Sequence, residues 1–327
     1  MRALLTLLLV WILAVPARAQ VGDPLDDPSL NEHCPRNAEW LAPRLRDHPL
    51  VGCHFDGRGR PVTPRAVIEA VRHVPYVLLG ETHDNADHHA FQNFYLQFSQ
   101  PFDRFGGSLV LEMVPRSLQP VLDRPEPVAT LGERLRWEAR GWPMWTENAR
   151  TIRAALAMRR TLVAGDLDRD DIRRIGSGGE VTQEERRRLG LDRALSSSQR
   201  AQLAEELKAS HCGMMPETMI EPMTTMQRAR DGALAAAMRE ADRPTVLLAG
   251  SGHVRRDRGV PAMLDAPSVS IAFIEVREGA DRVTDYELTG AGNAPLYDFA
   301  VFTPAAERGD PCAGLRERFG KKENAGE

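Results

Sequence analysis

Val77-Leu78-Leu79-Gly80-Glu81-Thr82-His83 is one of two stretches that decide the fold, and the other is Val246-Leu247-Leu248-Ala249-Gly250-Ser251-Gly252-His253. Each joins a short apolar run of β type to a glycine, where the backbone can turn, and then to a histidine three residues later. The carboxyl ends of parallel strands face one crevice, where ligands bind. The two matching strand ends therefore predict that His83 and His253 lie side by side at that crevice.

Strands and helices alternate around these two stretches. Apolar runs at 108–114, 161–164, 268–276 and 297–303 are predicted strands, and apolar residues between several of them have helical spacing. Strands separated by helices favour an α/β fold with a mainly parallel central sheet flanked by helices. We predict that this domain spans residues 63–305 and that residues 116–240 form a helical insertion over the carboxyl ends of the strands.

Both ends of the chain are predicted to lie outside this domain. Residues 1–19 have the charged start, apolar centre and A-x-A cleavage pattern of a secretory signal peptide. Residues 20–62 are rich in Pro, Asp and Gly and are predicted to be irregular, and residues 306–327 to be a polar tail. No later run is long and apolar enough to span a bilayer. We therefore expect a secreted, periplasmic protein without a stable membrane anchor.

Composition and cysteine content narrow the function classes. The formal net charge of −4 gives no reason to expect a nucleic-acid partner. The sequence contains no G-x-S-x-G elbow, no H-E-x-x-H motif and no phosphate-binding glycine loop, which disfavours the common hydrolase and nucleotide-binding classes. Export permits disulfides. Cys34 could pair with Cys53 or with Cys312, Cys212 could be free, and the sequence leaves the pairing open.

Charged residues in apolar surroundings point to the same crevice. Glu112 stands within an apolar strand, and a buried glutamate is rarely tolerated unless it is paired or ligating. Arg230 interrupts the apolar stripe of a helix, so it needs a carboxylate or an anionic ligand, for which Glu112 or Glu81 is the candidate. Asp166, which follows another strand, is a weaker candidate for the same rim.

A divalent metal ion is one ligand that such a crevice would suit. The predicted metal ligands are His83, His253, Glu81 and Glu112. In this hypothesis the metal activates water, Glu81 or Glu112 is the general base, and Arg230 stabilises an oxyanion. The function would be a metal-dependent hydrolase. The alternative interpretation of these residues is helix capping and structural ion pairing, and His88 and His89 are expected to be solvated.

A methionine-dense segment offers a second candidate site. His211, Met214 and Met215 begin a run of soft, apolar side chains that suits a flat hydrophobic cofactor with histidine, methionine or tyrosine as axial ligand. The alternative is ordinary core filling by methionine. Arg255 and Arg256, just after the second stretch, are candidates for binding a phosphate or a propionate, unless they are simply solvated.

Taken together, these motifs resemble the ChaN-type haem-binding uptake proteins of the Tiki/TraB superfamily over about residues 70–265. The resemblance rests on the following segments: Gly80-Glu81-Thr82-His83-Asp84-Asn85 with His88-His89, Leu111-Glu112-Met113, His211-Cys212-Gly213, Gln227 with Arg230-Asp231, Gly250-Ser251-Gly252-His253, and Gly259-Val260-Pro261.

This resemblance implies an α/β fold with haem bound at a surface pocket, in some members between two subunits. With the signal-peptide pattern, it implies an exported haem-binding protein of bacterial iron acquisition, with haem as its ligand and a homodimer among the assemblies it allows. A tyrosine is the type of haem ligand that the family implies, and the choice among Tyr76, Tyr95, Tyr286 and Tyr297 stays open. Tiki members are metal-dependent peptidases, so a metal-dependent peptidase or esterase remains the alternative.

Overall fold

The computed structural model describes residues 28–35, 39–99, 106–310, 312, 313 and 316. The predicted signal peptide at 1–19 and most of the predicted tail at 306–327 lie outside these residues. No helix within the described ranges is long and apolar enough to cross a membrane.

The described residues form one sheet of eight strands in the order β2-β1-β8-β7-β3-β6-β4-β5. The strands are β1 (His54–Asp56), β2 (Pro61–Val62), β3 (Tyr76–Glu81), β4 (Ser108–Pro115), β5 (Thr161–Asp166), β6 (Thr245–Gly250), β7 (Ser268–Glu275) and β8 (Phe299–Thr303). All neighbouring strands from β8 to β5 are parallel, and β1 pairs antiparallel with β2 and β8. The predicted α/β class with a mainly parallel sheet is confirmed.

The segment predicted to be irregular contains two of these strands. Residues 20–62 include β1 and β2, which extend the sheet beyond β8. They have only three and two residues, too few to show a strand period in the sequence. The prediction of an irregular segment is therefore wrong for β1 and β2.

Nine α-helices connect the strands within the described residues. They are α1 (Pro64–Val71), α2 (Ala86–Phe98), α3 (Gln119–Leu122), α4 (Val128–Arg134), α5 (Trp145–Ala157), α6 (Arg169–Gly176), α7 (Gln183–Arg188), α8 (Ser197–Ser210) and α9 (Ile220–Glu240). The side chains of Thr63 and Asn85 accept hydrogen bonds from the first turns of α1 and α2, so each helix begins where its cap fixes it. The region from 116 to 240 contributes α3 to α9 and the edge strand β5.

Alternate residues of the central strands pack into two different cores. Val77 and Leu79 of β3 join one core with side chains of α1, α2 and α5. Leu78 joins the other core, where Leu234 and Met238 of α9 cover the opposite face of the sheet. Because successive side chains of a strand point to opposite faces, these continuous apolar runs are buried on both sides. The sheet is thus held between two helical layers.

Two disulfides join the four cysteines. Cys34 pairs with Cys53, and Cys212 pairs with Cys312, so no cysteine is free. The first pair is one of the two that the sequence left open. Cys212, which the sequence left open as a free thiol, is bonded, because Cys312 returns to the turn between α8 and α9. The sequence gave no sign of this contact, since the two cysteines are 100 positions apart.

Candidate functional site

Strand register brings the two sequence stretches to the same edge of the sheet. β3 and β6 are parallel neighbours, and Glu81 lies opposite Gly250 at their carboxyl ends. His83 and His253 follow these ends, and both face the carboxylate of Glu112 from β4. His83 Nε2 lies 3.7 Å from Glu112 Oε2, and His253 Nε2 lies 3.2 Å from Glu112 Oε1. The predicted meeting of the two histidines beside Glu112 is confirmed.

Glu112 is a buried carboxylate with several cationic and N–H partners. It is 2% exposed, its Oε1 accepts a hydrogen bond from Arg230 Nη2 at 2.7 Å, and its Oε2 accepts one from the Gly250 backbone N–H at 2.6 Å. Burial alone would raise the pKa of Glu112, but His253 and Arg230 hold that pKa well below its usual range. Glu112 is therefore ionised at neutral pH and joins β4 to α9 and β6.

Arg230 joins α9 to two strands. Besides Glu112, its guanidinium donates to both carboxylate oxygens of Asp166 at the end of β5, at 2.7 to 3.2 Å. Burial opposes the charge of Arg230, but Glu112 and Asp166 raise its pKa above the usual value. Glu112 was one of the two predicted partners, and Asp166 joins the same rim as predicted. The other candidate, Glu81, does not bind Arg230.

His253 forms a short pair with Asp231, one residue after Arg230 on α9. Their Nδ1 and Oδ1 atoms are 2.6 Å apart, and both side chains are buried. Burial lowers the pKa of His253, but Glu112 and Asp231 outweigh it and raise that pKa to about 10. The Gln227 carboxamide also contacts the ring, at 3.2 Å. His253 is thus a buried imidazolium held between two acids.

On the other side of the site, the Glu81 carboxylate contacts two imidazole rings. Its Oε1 lies 2.7 Å from His83 Nδ1, and its Oε2 lies 3.0 Å from His89 Nδ1. Burial would raise the pKa of Glu81, but His89 and His83 lower it to about 2. Burial also opposes protonation of His89, yet Glu81 raises the pKa of His89 to about 9. Both groups are therefore charged near neutral pH.

The expectation that His88 and His89 are solvated is wrong. Both are at most 2% exposed, because the first turn of α2 folds back against the sheet. His88 accepts a hydrogen bond from the Thr82 backbone N–H through Nδ1, and burial lowers its pKa to about 3. His89 is a member of the site that sequence reasoning missed. The available signal was spacing, since positions 88, 89, 92, 95 and 96 form one buried stripe of α2.

We call the whole set the crevice cluster. It contains four acids and four bases: Glu81, Glu112, Asp166, Asp231, His83, His89, His253 and Arg230. When all eight groups are ionised, their four negative and four positive charges cancel. Each of the four carboxylates is paired with at least one of the cations. His83 is the most exposed of these side chains, at 30%, and its ring forms a T-shaped contact with the Trp142 ring, with centroids 4.9 Å apart.

The four predicted metal ligands contact one another in pairs rather than converging on a point. Across the described residues, one group of three or more His, Cys, Asp or Glu has all its ligand atoms within 4.8 Å of each other. That group is His33, Cys34 and Cys53, whose two sulfurs are joined in a disulfide. The site of His83, His253, Glu81 and Glu112 as it stands is a network of ion pairs.

The predicted cofactor segment divides into a buried and an exposed part. Met215 packs with Leu203 and Leu207 of α8, so ordinary core filling explains it. His211 and Met214 are half-buried. Met219, in the turn before α9, is 41% exposed.

Arg255 and Arg256 are not available for an anion. Arg255 is 4% exposed and binds the carboxylates of Glu206 and Asp257. The Arg256 guanidinium is paired with Asp298. The structure therefore does not support the predicted phosphate or propionate site, because acids from distant parts of the chain already neutralise both guanidinium groups.

Comparison with known proteins agrees with this fold. The sequence profile of the family described as "Haem-binding uptake, Tiki superfamily, ChaN" matches residues 67–264. The chain belongs to this family. All eight members of the crevice cluster and the methionine-dense segment fall within the region that matches ChaN. No curated protein shows significant similarity to the chain.

Solved structures extend the comparison of this ChaN-family chain to the fold. A structure of cofacial haem binding to ChaN of Campylobacter jejuni matches with a TM-score of 0.58 and 17% identity, covering 76% of this chain and 94% of that one. The type III effector HopBA1 matches with a TM-score of 0.40 and 14% identity, covering 85% and 99%. The first likeness shows the fold, and the second is too weak to support an argument.

Proposed function

We propose that this chain is an exported haem-binding protein that serves iron acquisition in the bacterial periplasm. The observation that carries the proposal is membership of a haem-binding uptake family over residues 67–264. The signal-peptide pattern at residues 1–19 supports export. Two disulfides support it as well, since disulfides persist in oxidising compartments.

The described residues include donor types that haem iron binds. Haem iron binds an axial nitrogen, sulfur or oxygen donor, and its porphyrin needs an apolar surface. The turn between α8 and α9 offers a half-exposed imidazole at His211 and an exposed thioether at Met219. When bound, haem supplies an iron centre, and the chain supplies the donor and the surface.

The metal-dependent hydrolase is less favoured by the geometry. A dication at the crevice cluster would have to displace the proton of His83 or His253, or the guanidinium of Arg230, from carboxylates that they already neutralise. Each carboxylate of the crevice cluster already has a cationic partner.

Haem titration of the purified mature chain tests the proposal. We expect the Soret band of ferric haem to shift and to saturate as protein is added, with metal analysis of the purified protein as a parallel measurement. A titration without a saturable shift would overturn the haem-binding function. Zinc or manganese at one ion per chain, lost in both His83→Ala and His253→Ala, would favour the hydrolase instead.

A homodimer that forms with haem is part of this proposal. The Campylobacter jejuni structure describes cofacial haem binding, and the family resemblance implies haem held between two subunits in some members. Light scattering after size exclusion, with and without haem, measures the mass directly. A monomer mass at saturating haem would remove the dimer and leave haem binding to be judged by the titration.

A further inference from the structure

We propose that a cavity between α9 and β5 binds an α-amino acid with an aliphatic side chain. The cavity has a volume of about 440 Å³ and lies on the face of the sheet that α9 covers. Cavities of this size hold small molecules in many proteins. The proposed site goes beyond the haem-binding function and shares no residue with the segment considered for haem.

The cavity exists because α9 presents short side chains to the edge strand of the sheet. Ala233 and Ala237 of α9, and Ala241 just after it, are spaced four residues apart and all line the cavity, so they form one stripe of the helix. Val163 and Gly165 of β5 line the opposite wall. Side chains this short leave an apolar space between helix and strand, which a longer side chain would fill.

A buried hydroxyl group points into this space. Ser108, the first residue of β4, is 1% exposed, and its Oγ has no hydrogen-bond partner among the described residues. Ser108 lies on the same face of β4 as Val110, which packs under Leu234 of α9, so its side chain faces the cavity that it lines. Thr161, its neighbour in the strand register, also lines the cavity. A buried hydroxyl without a hydrogen bond is unfavourable, and a polar group of a ligand would supply that bond.

Charged side chains of both signs complete the lining. Besides Asp166, which Arg230 already neutralises, they are Arg116, Arg188, Glu240 and Asp242. Arg188 donates to the Glu240 carboxylate through Nε and Nη2, at 3.1 and 3.2 Å. Arg116 Nη2 lies 3.9 Å from the same carboxylate, which is too far for a hydrogen bond. The Arg116 guanidinium can therefore bind a second carboxylate without giving up a hydrogen bond to Glu240.

This arrangement of charge favours a zwitterion over a simple anion or cation. Two guanidinium groups and two carboxylates leave the charged part of the lining with no net charge, so a ligand with a single charge would unbalance it. Glu240 and Asp242 are two residues apart, so acidic and basic groups lie close together. An α-amino acid likewise carries both its charges on one carbon. Its carboxylate would bind Arg116, its ammonium Asp242 and the Ser108 hydroxyl, and its side chain would lie between the alanines and Val163.

The walls of the cavity are fixed before any ligand binds. Gln119 of α3 donates through Nε2 to the Leu162 carbonyl oxygen at 3.0 Å, and its Oε1 accepts the Ala164 backbone N–H at 2.7 Å. A neighbouring strand would bond these same two groups, so the Gln119 carboxamide ties α3 to the open edge of β5. At the carboxyl end of β5, Arg230 of α9 holds the Asp166 carboxylate. A preformed site spends little free energy on ordering when the ligand enters.

Calorimetric titration of the purified mature chain with leucine tests the site. We expect saturable binding of one leucine per chain. The compound 4-methylpentanoate is leucine without its amino group, and leucinol is leucine with an alcohol in place of the carboxylate. We expect each to bind at least about tenfold more weakly than leucine, because each leaves polar groups of the site unpaired. Glycine, which has no side chain to fill the apolar space, should also bind more weakly.

Three variants locate the binding in this cavity. Ala237→Leu fills the space, so it should weaken leucine binding by more than about tenfold and leave the protein at least as stable in urea as wild type. Ser108→Ala removes a hydroxyl without a bond in the free protein, so leucine binding should weaken while the free energy of unfolding stays unchanged. Arg116→Gln should weaken the binding of leucine but not of leucinol. Arg150→Gln is the matched control, because Arg150 is also exposed but lies outside the cavity lining.

Several outcomes would overturn the proposal. Wild-type protein that binds no leucine at millimolar concentration is one, and leucine binding that is unchanged in both Ala237→Leu and Arg116→Gln is another. If 4-methylpentanoate or leucinol binds as tightly as leucine, the ligand is not an α-amino acid. If Ala237→Leu does not fold, Ser108→Ala and Arg116→Gln still decide the question. None of these measurements involves haem, so their outcome is independent of the haem titration.

Discussion

Replacing Glu112 with glutamine removes one negative charge from the centre of the crevice cluster and almost nothing else. Glutamine has the same shape, and its amide oxygen can still accept the Gly250 backbone N–H that Glu112 Oε2 accepts at 2.6 Å. What is lost is the charge that faces Arg230 at 2.7 Å and His253 at 3.2 Å. Two cations are then left with one acidic partner each, Asp166 and Asp231.

The expected cost follows from the burial of this pair. Glu112 is 2% exposed, and breaking a buried ion pair by removing one partner typically costs about 3–5 kcal/mol. The bonds from Arg230 to Asp166 remain, so we expect a value near the lower end, about 3 kcal/mol. That is a large share of the ~5–15 kcal/mol that stabilises a typical domain.

Urea unfolding near pH 6, with the disulfides intact, measures this loss. Glu240→Gln is the matched control, since Glu240 also pairs with an arginine, Arg188, at 3.1 Å, but its side chain is 55% exposed. An exposed pair contributes at most about 1 kcal/mol. A Glu112→Gln variant no less stable than Glu240→Gln would refute the argument that the cluster holds the sheet edge and α9 together.

Three other predictions follow from the ion pairs, the second disulfide and the crevice glycine. The pKa values of His89 and His253 are raised from 6.5 to about 9 and about 10. The stability that these two protonated histidines give to the folded state is therefore complete below pH 6.5 and is lost as the pH rises through 9 to 10. The free energy of unfolding should then fall by up to about 1.4 kcal/mol per pH unit for each histidine, and urea curves from pH 6 to 9.5 that coincide would contradict this. The double variant Cys212→Ser/Cys312→Ser removes the cross-link between residues 100 positions apart and should lower the free energy of unfolding in urea by about 4 kcal/mol. In the wild-type protein, non-reducing peptide maps should link Cys212 only to Cys312. Gly250→Ala should cost about 1–3 kcal/mol, because its Cβ would lie 3.1 Å from His83 Nε2, whereas Gly252→Ala meets nothing within 4 Å and should be close to neutral.

The central sheet could be predicted because the residues that mark its strands are neighbours in the sequence. Each apolar run ends in its own glycine and histidine, and parallel pairing alone brings those ends level, as Glu81 opposite Gly250 shows. Glu112 and Arg230 were recognisable for a related reason. A charge within an apolar pattern must find a partner wherever the chain folds, so the pattern predicts a pair even where it cannot name both members.

The rest depended on contacts between distant residues. Arg255 looked like an anion site because the sequence around it is rich in arginine, but Glu206 on α8 neutralises it from 49 residues away. The pairing of Cys212 stayed open in the sequence, and its partner Cys312 lies 100 positions away. β1 was too short to show a period. In each case the deciding partner lies far away in sequence, and only the folded chain brings it into reach.

The two candidate sites that the sequence indicated, the crevice and the methionine-dense segment, lie at different points of one helix. Helix α9 connects them, since it starts next to Met219 and carries Arg230 and Asp231 at its midpoint, about 15 Å further on. Glu112 and Asp166 fix its charged part to the sheet, and its buried residues from 229 to 238 fix the rest. The ion pairs of the crevice cluster therefore fix α9, and with it the methionine-dense turn that precedes α9, relative to the sheet.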